Sequence, residues 1–437
     1  MTDSTSATES ANNPYASTKA AYYALGILTI VYSINFIDRQ LLSILQESIK
    51  ADLMLSDAQL GLLTGFAFAL FYTFAGLPIA SLADRSNRRN IVAISLTIWS
   101  GMTAISGLAQ NYWQLLAARV GVGIGEAGGS PPSHSMISDI FPPEKRASAI
   151  GFYSTGISIG ILFGFLFGGW LNEFFGWRVA FFVVGIPGVL LALVLYLTVP
   201  EPIRGLAENR ASTGDNPSMM TVFKVLLSRR SFLFMALGAA MNAFAGYSTA
   251  NWVASFMIRT HQMPTGELGT WLALIIGLGG AIGVFGSGVL ADNLGKKDKR
   301  WYMWVPVYAA AISVPFQIAT YWVDGPYAAL MCMTIPSILA NAYLGATIAS
   351  VHGMVGLRMR AVSSALLFFI LNIIGLGMGP TTVGLVSDLL VDQHDVDSLR
   401  YAMMYIIPTS MFISGVLYIL ASRHILSLIH ISEPTRR

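Results

Sequence analysis

The sequence predicts an all-α membrane protein with twelve transmembrane helices in two six-helix bundles. Three observations support this prediction: the composition, the spacing of the apolar segments and an internal repeat. The chain has 437 residues, of which 54% are hydrophobic and 11% charged, whereas about 25% of the residues of an ordinary soluble domain are charged. A helix that spans a bilayer needs roughly 20 apolar residues, so the chain can hold about a dozen spans.

Hydropathy along the chain gives the positions of the predicted spans. They lie at residues 21–46, 58–82, 90–109, 113–140, 146–173, 178–198, 231–258, 267–291, 302–322, 326–352, 361–390 and 399–422. The long polar connection 199–230 divides the chain into six plus six, and its stretch 219–230 is predicted to form a short surface helix. We therefore expect a first bundle at 21–198, a linker, and a second bundle at 231–425.

The two ends of the sequence are expected to lie outside the bundles. Residues 1–20 are polar and rich in Ser and Thr, without the basic start and apolar run of a signal peptide, and predict a disordered cytoplasmic tail. Residues 426–437 contain LSLIHISEPTR, which resembles the translation of a sequencing-library adapter. We expect this stretch to be a scar and assign it no structure or function.

The distribution of basic residues predicts the orientation in the membrane. With the N-terminus inside, eighteen Lys and Arg residues fall in cytoplasmic segments. Four fall outside, namely Lys50, Arg178, Arg259 and Arg400. We therefore expect both termini to be cytoplasmic.

An internal repeat relates the ends of the second and eighth spans. The stretch ASLADRSNRR, which holds Asp84 and Arg88, is matched 208 residues later by GVLADNLGKK, which holds Asp292. Two parallel halves with such a loop resemble the major facilitator transporters. That resemblance implies a substrate site at mid-membrane between the halves.

The resemblance also implies a gating role for the loop after the second span. In the family signature, a carboxylate at a helix end meets the positive N-terminus of a neighbouring helix and nearby Arg groups in one conformation only. Here Ala80 and Asn87 replace two glycines of the signature. The candidate gating residues are Asp84, Arg85, Arg88, Arg146 and Asp292. The alternative is ordinary positive-inside charge.

The fifth span has one face without side chains. Gly156, Gly160, Gly164 and Gly168 recur with period four, and such a face lets another backbone approach closely. The pattern resembles the glycine-rich fifth helix of antiporters in the superfamily, although Phe165 stands where a proline is usual. Static packing and a moving interface both remain open.

Four charged residues fall inside the predicted spans of the first half, where each is costly unless it is paired or hydrated. Asp38 and Arg39 lie in the first span. Arg119 and Glu126 lie in the fourth span, seven residues apart and therefore on one helical face. The apolar stretches of the second half carry no comparable charge. We therefore expect the functional charges in the first half.

The sequence around these charges resembles the Spinster family. The resemblance rests on NFIDR at 35–39, RVGVGIGEA at 119–127, PPSH at 131–134 and DIFPPEKR at 139–146. It is specific over residues 30–205 and general beyond them. Animal members export sphingosine-1-phosphate or carry lysophospholipids out of lysosomes, so the resemblance implies an amphiphilic, lipid-like substrate. The short loops favour a bacterial member in the inner membrane.

Chemistry suggests a role for each of the four charges. A carboxylate in a low-dielectric cavity can hold a proton near neutral pH, so Asp38 and Glu126 are candidate proton sites. A guanidinium does not release its proton, so Arg39 suits contact with a phosphate or carboxylate, and Glu126 lies beside that contact. Arg119 resembles the arginine that couples protonation to movement in this superfamily. The alternative is a static ion-pair network between the first and fourth spans.

Further candidate contacts are polar or aromatic. His134 titrates in the physiological range, although a lone helical His more often has a structural role. In the second half, seven side chains are candidates for the apolar wall of the cavity: Phe244, Tyr247, Asn251, Trp252, Asn341, Tyr343 and Asn372. Ordinary helix packing is the alternative for each.

These features predict a proton-coupled transporter that moves an amphiphilic anion, such as a lysophospholipid or sphingoid phosphate, by alternating access. We expect a monomer in the bilayer with no cofactor besides the proton gradient. An exporter of a small organic anion or drug is the first alternative, and a non-transporting sensor or scaffold the second.

Other classes of protein are excluded by composition and motif context. The lone Cys332 excludes a disulfide framework and a multi-cysteine metal site. The net charge of +3 does not suggest a nucleic-acid partner. We expect no enzyme, because the GxSxG at 156–160 and the GxGxxG at 123–128 lack the preceding strand that their turns need.

Overall fold

The computed structural model describes residues 14–432, except 16, 205–218, 297, 299 and 357–358. At 219, 292, 361 and 425–432 it describes the backbone alone. Within these residues the chain is almost entirely helical and contains no strand, as the sequence predicts. Residues 1–13 and 16 of the predicted tail 1–20, and residues 433–437 of the predicted adapter scar, lie outside the described residues.

The described part of the chain forms helices α1 to α15. They are α1 Thr18–Leu53, α2 Asp57–Arg85, α3 Arg88–Ser106, α4 Tyr112–Glu126, α5 Ser130–Ile140, α6 Pro143–Phe175, α7 Trp177–Thr198, α8 Met219–Leu227, α9 Arg230–His261, α10 Thr265–Gly295, α11 Trp301–Trp322, α12 Pro326–Leu339, α13 Leu344–Gly353, α14 at residues 360–394 and α15 Ser398–Ser432. Each predicted span has a helical counterpart. The fourth is the pair α4 and α5, the tenth is the pair α12 and α13, and α8 is the short helix expected in the linker.

Nine helical stretches among the described residues are long and apolar enough to cross a membrane, with residues 362–424 counting as one. The third predicted span, α3, and the fourth, the pair α4 and α5, are absent from this set. The predicted tail needs a correction at its end. Helix α1 begins at Thr18, and Tyr15 is buried with its hydroxyl donating to the Pro200 carbonyl oxygen.

Local sequence signals set several helix boundaries. Ser56 and Gln59 form a capping box at the start of α2, which satisfies backbone N–H groups that have no partner within the helix. Asn87 caps α3 and Asn111 caps α4 in the same way. Gly176 separates α6 from α7 with a φ of 80°, a conformation that glycine adopts at no steric cost.

Three helices contain wider, π-helical turns. These are Leu62–Phe66 in α2, Ala273–Leu278 in α10 and Leu371–Met378 in α14. Such turns are uncommon and often mark functional sites. Two of them occupy similar positions in α2 and α10, which start 208 residues apart, at Asp57 and Thr265.

The chain forms two compact units whose boundaries cut through helices. The first unit contains the residues up to Leu41, Phe71–Gly164 and the residues from Phe175 to the linker. The second contains Leu42–Leu70, Phe165–Phe174 and the chain from α8 onward. The units therefore differ from the predicted division at the linker, because parts of α1, α2 and α6 pack with the second half of the sequence.

Within the first unit, the glycine face of α6 packs against α1. A Cβ atom on Gly156 would lie 2.8 Å from the Thr29 carbonyl oxygen, and one on Gly164 would lie 2.8 Å from Cβ of Gln40. At Gly160 a Cβ would clash with the Ser33 carbonyl oxygen. The missing side chains thus allow the backbones of α1 and α6 to touch, and α1 carries the intramembrane charges.

Candidate functional site

Two of the intramembrane charges form an ion pair between α1 and α4. The Arg39 guanidinium approaches a single carboxylate oxygen of Glu126, with Nε at 2.8 Å and Nη2 at 2.7 Å. The Glu126 side chain is fully buried, whereas 16% of the Arg39 side chain is exposed. The second carboxylate oxygen of Glu126 is buried without a hydrogen-bond partner among the described residues. Within the pair, Glu126 is therefore shielded from solvent, whereas Arg39 is partly accessible.

The other two charges lie beside this pair. Asp38 is fully buried and accepts a hydrogen bond from the Thr103 hydroxyl of α3 at 3.1 Å. Arg119 is also buried and lies within electrostatic range of both Asp38 and Glu126. The structure thus brings together all four charges that the sequence singles out. Their roles in proton coupling stay predictions.

Aromatic rings flank the accessible end of the pair. The guanidinium carbon of Arg39 lies 5.3 Å from the centroid of the Phe36 ring and 5.0 Å from that of Tyr72. At such distances a cation is attracted to the face of an aromatic ring. The rings hold the guanidinium in place beside an apolar surface, which suits an anion with an apolar neighbour.

His134 belongs to an aromatic stack in the same unit. Its Nδ1 lies 2.9 Å from the Ser130 carbonyl oxygen, and its ring meets Tyr153 edge-on at 5.0 Å between centroids. Tyr153 in turn stacks on Tyr32 of α1 at 4.5 Å. These contacts give His134 a packing role, and its predicted contact with substrate stays a prediction.

The basic loop after α2 is organised around Arg88. This side chain is 2% exposed and donates to Glu201 at 2.8 Å, to Asp139 at 2.5 Å and to Ser135 at 2.8 Å. Asp84 is exposed, and its carboxylate makes no ion pair within the described part of the chain. The buried Arg88 thus pairs with the partly exposed Asp139 and Glu201, and the gating role of Asp84 stays a prediction.

The remaining gating candidates have different surroundings. Arg85 is exposed, and Arg146 donates from Nη2 to the Ser138 carbonyl oxygen at 2.7 Å. The backbone of Asp292 is helical, but its side chain lies outside the described residues. Arg204 was not among the predicted gating residues. It donates to backbone carbonyl oxygens at the end of α2, including that of Ser86 at 2.5 Å.

Two candidates on α9 are core residues, which corrects their predicted place in a cavity wall. Trp252 is fully buried, and its indole N–H donates to the Pro380 carbonyl oxygen at 2.9 Å. Phe244 is buried where α9 packs closely on Gly379 of α14. Packing against α14 leaves no face of Trp252 for a ligand.

The other second-half candidates are only partly accessible or lie elsewhere. Asn251 is half-buried, and its side-chain amide donates to the carbonyl oxygen of Tyr247, itself half-buried, at 2.8 Å. Tyr343 is buried in the core of the second unit. Asn341 is exposed in the turn between α12 and α13, and Asn372 is half-buried in the π-helical turn of α14. Tyr247 packs against the core cluster that contains Tyr343, and substrate contact by Tyr247, Asn251, Asn341 and Asn372 stays a prediction.

A second ionic cluster, in the second unit, was not recognised from the sequence. Arg259 at the end of α9 bonds Glu47 of α1 through Nε and Nη2, both at 2.8 Å. It also bonds Asp57 of α2 through Nη1 at 2.7 Å and Nη2 at 2.6 Å. Lys50 reaches Asp57 at 2.6 Å. Lys50 and Arg259 appear in the sequence as isolated charges of outer loops, so only the fold shows that they share a buried carboxylate.

The protein has long apolar helices, an internal repeat and charged side chains buried among those helices. These are the features of a helical membrane transporter. The family model of the Major Facilitator Superfamily matches residues 28–380, well over half of the chain. The chain therefore belongs to the Major Facilitator Superfamily, and the predicted fold class is confirmed.

Individual relatives agree with this assignment. An MFS-type efflux pump of Mycolicibacterium smegmatis is 32% identical over 408 residues, 92% of this chain and 93% of the relative. The sphingosine-1-phosphate transporter SPNS2 of Danio rerio is 26% identical over 87% of this chain and 80% of its own length. The crystal structure of a bacterial homologue of the human lysosomal transporter Spinster, inward-facing and unoccupied, superposes with a TM-score of 0.84 at 33% identity. That match covers 94% of this chain and 98% of the homologue. The predicted resemblance to Spinster proteins is confirmed, and the relatives are transporters rather than enzymes.

Proposed function

We propose that this transporter works by alternating access and couples the movement of an amphiphilic anion to protons. The observation that carries the proposal is the ion pair between accessible Arg39 and buried Glu126. A guanidinium at mid-membrane is tolerated when it is paired or when an anion visits it. Arg39 can therefore pair with Glu126 in one state of the transporter and with a substrate anion in another.

The pair supplies a simple coupling rule. When Glu126 is ionised, it holds Arg39 through a charge-assisted hydrogen bond from Nε and a close ionic contact from Nη2; bonds between charged groups are the strong kind. When Glu126 takes up a proton, its hold on Arg39 weakens and an anion can replace it. Proton binding at Glu126 and anion binding at Arg39 therefore favour each other, and buried Asp38 offers a second proton site nearby.

The expected substrate class is a phosphate with an apolar tail. The rings of Phe36 and Tyr72 beside Arg39 favour an anion that brings apolar surface with it. The similarity to SPNS2, a sphingosine-1-phosphate transporter, and the likeness to a Spinster homologue support the same class. The second candidate is export of a small organic anion or drug, which the M. smegmatis efflux pump favours.

The sidedness proposed from the sequence is that of a bacterial inner-membrane protein with cytoplasmic termini. The excess of Lys and Arg in alternate segments supports it. The loop with Asp84 then faces the cytoplasm, and the cluster around Arg259 faces the outside.

Binding of a phosphate series that differs only in chain length separates the two substrate classes. Each methylene buried should add about 0.8 kcal/mol, roughly fourfold in affinity, until the apolar site is full. Arg39→Lys should weaken binding about tenfold because the planar fork is lost. Arg89→Lys is the matched control, since Arg89 also lies over an aromatic ring, that of Tyr196 at 4.8 Å, but away from the ion pair. A flat response to chain length, with tight binding of short dicarboxylates, would support small-anion export instead.

A further inference from the structure

Two carboxylates in the second unit sit at the N-termini of helices from the other half of the sequence. The carboxylate of Asp388 in α14 accepts hydrogen bonds from the backbone N–H groups of Asp57 at 3.0 Å and Ala58 at 2.8 Å, at the start of α2. The carboxylate of Glu173 in α6 accepts one from the backbone N–H of Gly266 at 2.6 Å, at the start of α10.

The internal repeat relates these two contacts. The shift of 208 residues that superposes Asp84 on Asp292 also places Ala58 on Gly266, because α2 and α10 begin at corresponding positions. In each contact the helix belongs to one half of the sequence and the carboxylate to the other. The two contacts therefore form a symmetric pair, although Glu173 and Asp388 lie in helices of different local sequence.

The contacts are far from the basic loops that the family resemblance associates with gating. Helix α2 has 29 residues, so its start lies about 43 Å from the Asp84 loop at 1.5 Å per residue. Side-chain contacts surround each helix start. Arg259, Lys50 and Ser387 all bond the Asp57 carboxylate, and Asn172 donates to Ser48 at 2.9 Å beside Glu173.

We infer that Glu173 and Asp388 are a pair of latches that hold this end of the transport pathway closed and that must release the two helix starts before it opens. An anionic side chain is stabilised at the positive N-terminus of a helix, and both contacts join segments that alternating access has to separate. The inference rests on the proposed transport cycle. The proposed contacts at the starts of α2 and α10 are of the same kind as the contact that the family resemblance implies for the Asp84 loop.

Cysteine accessibility tests the latches without any substrate. In a Cys332→Ser background, Ser255→Cys is the reporter, because Ser255 is fully buried on α9 and donates to Gln46 of α1 at 3.3 Å. A membrane-impermeant maleimide is added from outside. Glu173→Gln and Asp388→Asn should each raise the labelling rate about two- to fivefold, and the double variant should raise it further. Glu267→Gln and Asp392→Asn are matched controls that remove a nearby carboxylate without touching either contact.

A second reporter distinguishes opening from general loosening. The second reporter is Ser414→Cys. Ser414 is fully buried on α15 and donates to the Gly238 carbonyl oxygen within the second half, so labelling of a cysteine at this position should not change. If the amide variants fold poorly, Glu173→Asp and Asp388→Glu retain the charge but displace it, and they should raise labelling at position 255 by a smaller factor.

The outcome can be separated from that of the proposed function. Unchanged labelling at 255 in both single variants and the double variant, or an equal rise at 414, overturns the latches even if transport is proton-coupled. A selective rise at 255 supports them whichever anion is transported.

Discussion

The ion pair between Arg39 and Glu126 makes a quantitative prediction for Glu126→Gln. Glutamine preserves the shape of the side chain but removes the charge that competes with a substrate anion for Arg39. In the parent protein, anion affinity should rise as pH falls, because protonation of Glu126 loosens its hold on Arg39. In the variant, affinity should be high at every pH, since no proton is needed.

The structure gives the size of the effect. The hydrogen bond from Nε joins a charged donor to a charged acceptor, Nη2 adds a second ionic contact, and the Glu126 side chain is fully buried, so solvent screens the pair little. In Glu126→Gln the amide oxygen can still accept a hydrogen bond from the Arg39 guanidinium, but the attraction between two full charges is lost. If this loss lowers the cost of freeing Arg39 by about 1.4 kcal/mol, anion binding at neutral pH should be about tenfold tighter.

Calorimetric titration of purified protein with a single-chain lipid phosphate between pH 5 and 8 measures both quantities, and proteoliposome uptake measures coupling. Proton-driven uptake should be lost although binding is tighter. Glu144→Gln is the control, because Glu144 is an exposed carboxylate in the first turn of α6. Affinity in Glu126→Gln that still varies with pH as in the parent, together with intact proton-driven uptake, would refute the competition between Glu126 and the anion.

Two further predictions concern stability. Gly160→Ala should lower the thermal midpoint in detergent, because the new Cβ would lie 2.5 Å from that of Phe36. The expected loss is equivalent to about 1–3 kcal/mol, the usual cost of overpacking. Gly151→Ala is the control and should be neutral or stabilising, because Gly151 has open space around it. Arg88→Lys should cost about 1–3 kcal/mol, since a single ammonium cannot reproduce the forked hydrogen bonds of the buried guanidinium, whereas Arg85→Lys at an exposed position should leave the midpoint unchanged. Equal midpoints within either pair of variants would contradict the packing or the bonding described for that site.

The fold and the charged centre were predictable because both depend on local sequence. Apolar segments of sufficient length predict helices, and a charge inside such a segment, as at Asp38 or Glu126, stands out against its surroundings. Partners that lie far apart in the chain leave no such signal. Glu201 follows an apolar span in an ordinary-looking loop, and nothing in the sequence indicates that it meets Arg88 rather than water.

The errors have the same physical origin. Trp252 has a polar N–H on an apolar side chain, which is compatible both with a cavity wall and with the core. Only the structure shows that its N–H donates to the Pro380 carbonyl oxygen inside the core. The gating signature describes a contact of one conformation, so the exposed Asp84 of this structure leaves its gating role a prediction. The boundaries of the compact units depend on contacts between distant segments and were not predictable either.

The π-helical turns of α2 and α14 have a mechanical consequence. They meet directly, since a Cβ on Gly65 would lie 2.7 Å from the Gly377 carbonyl oxygen, so α2 cannot hold a larger side chain at this position. A π turn carries an extra residue, and returning that residue to α geometry shifts the helix beyond it by about 1.5 Å and rotates it by about 100°. A change between π and α geometry at either turn would therefore let one end of a long helix rotate while the other end stays in place.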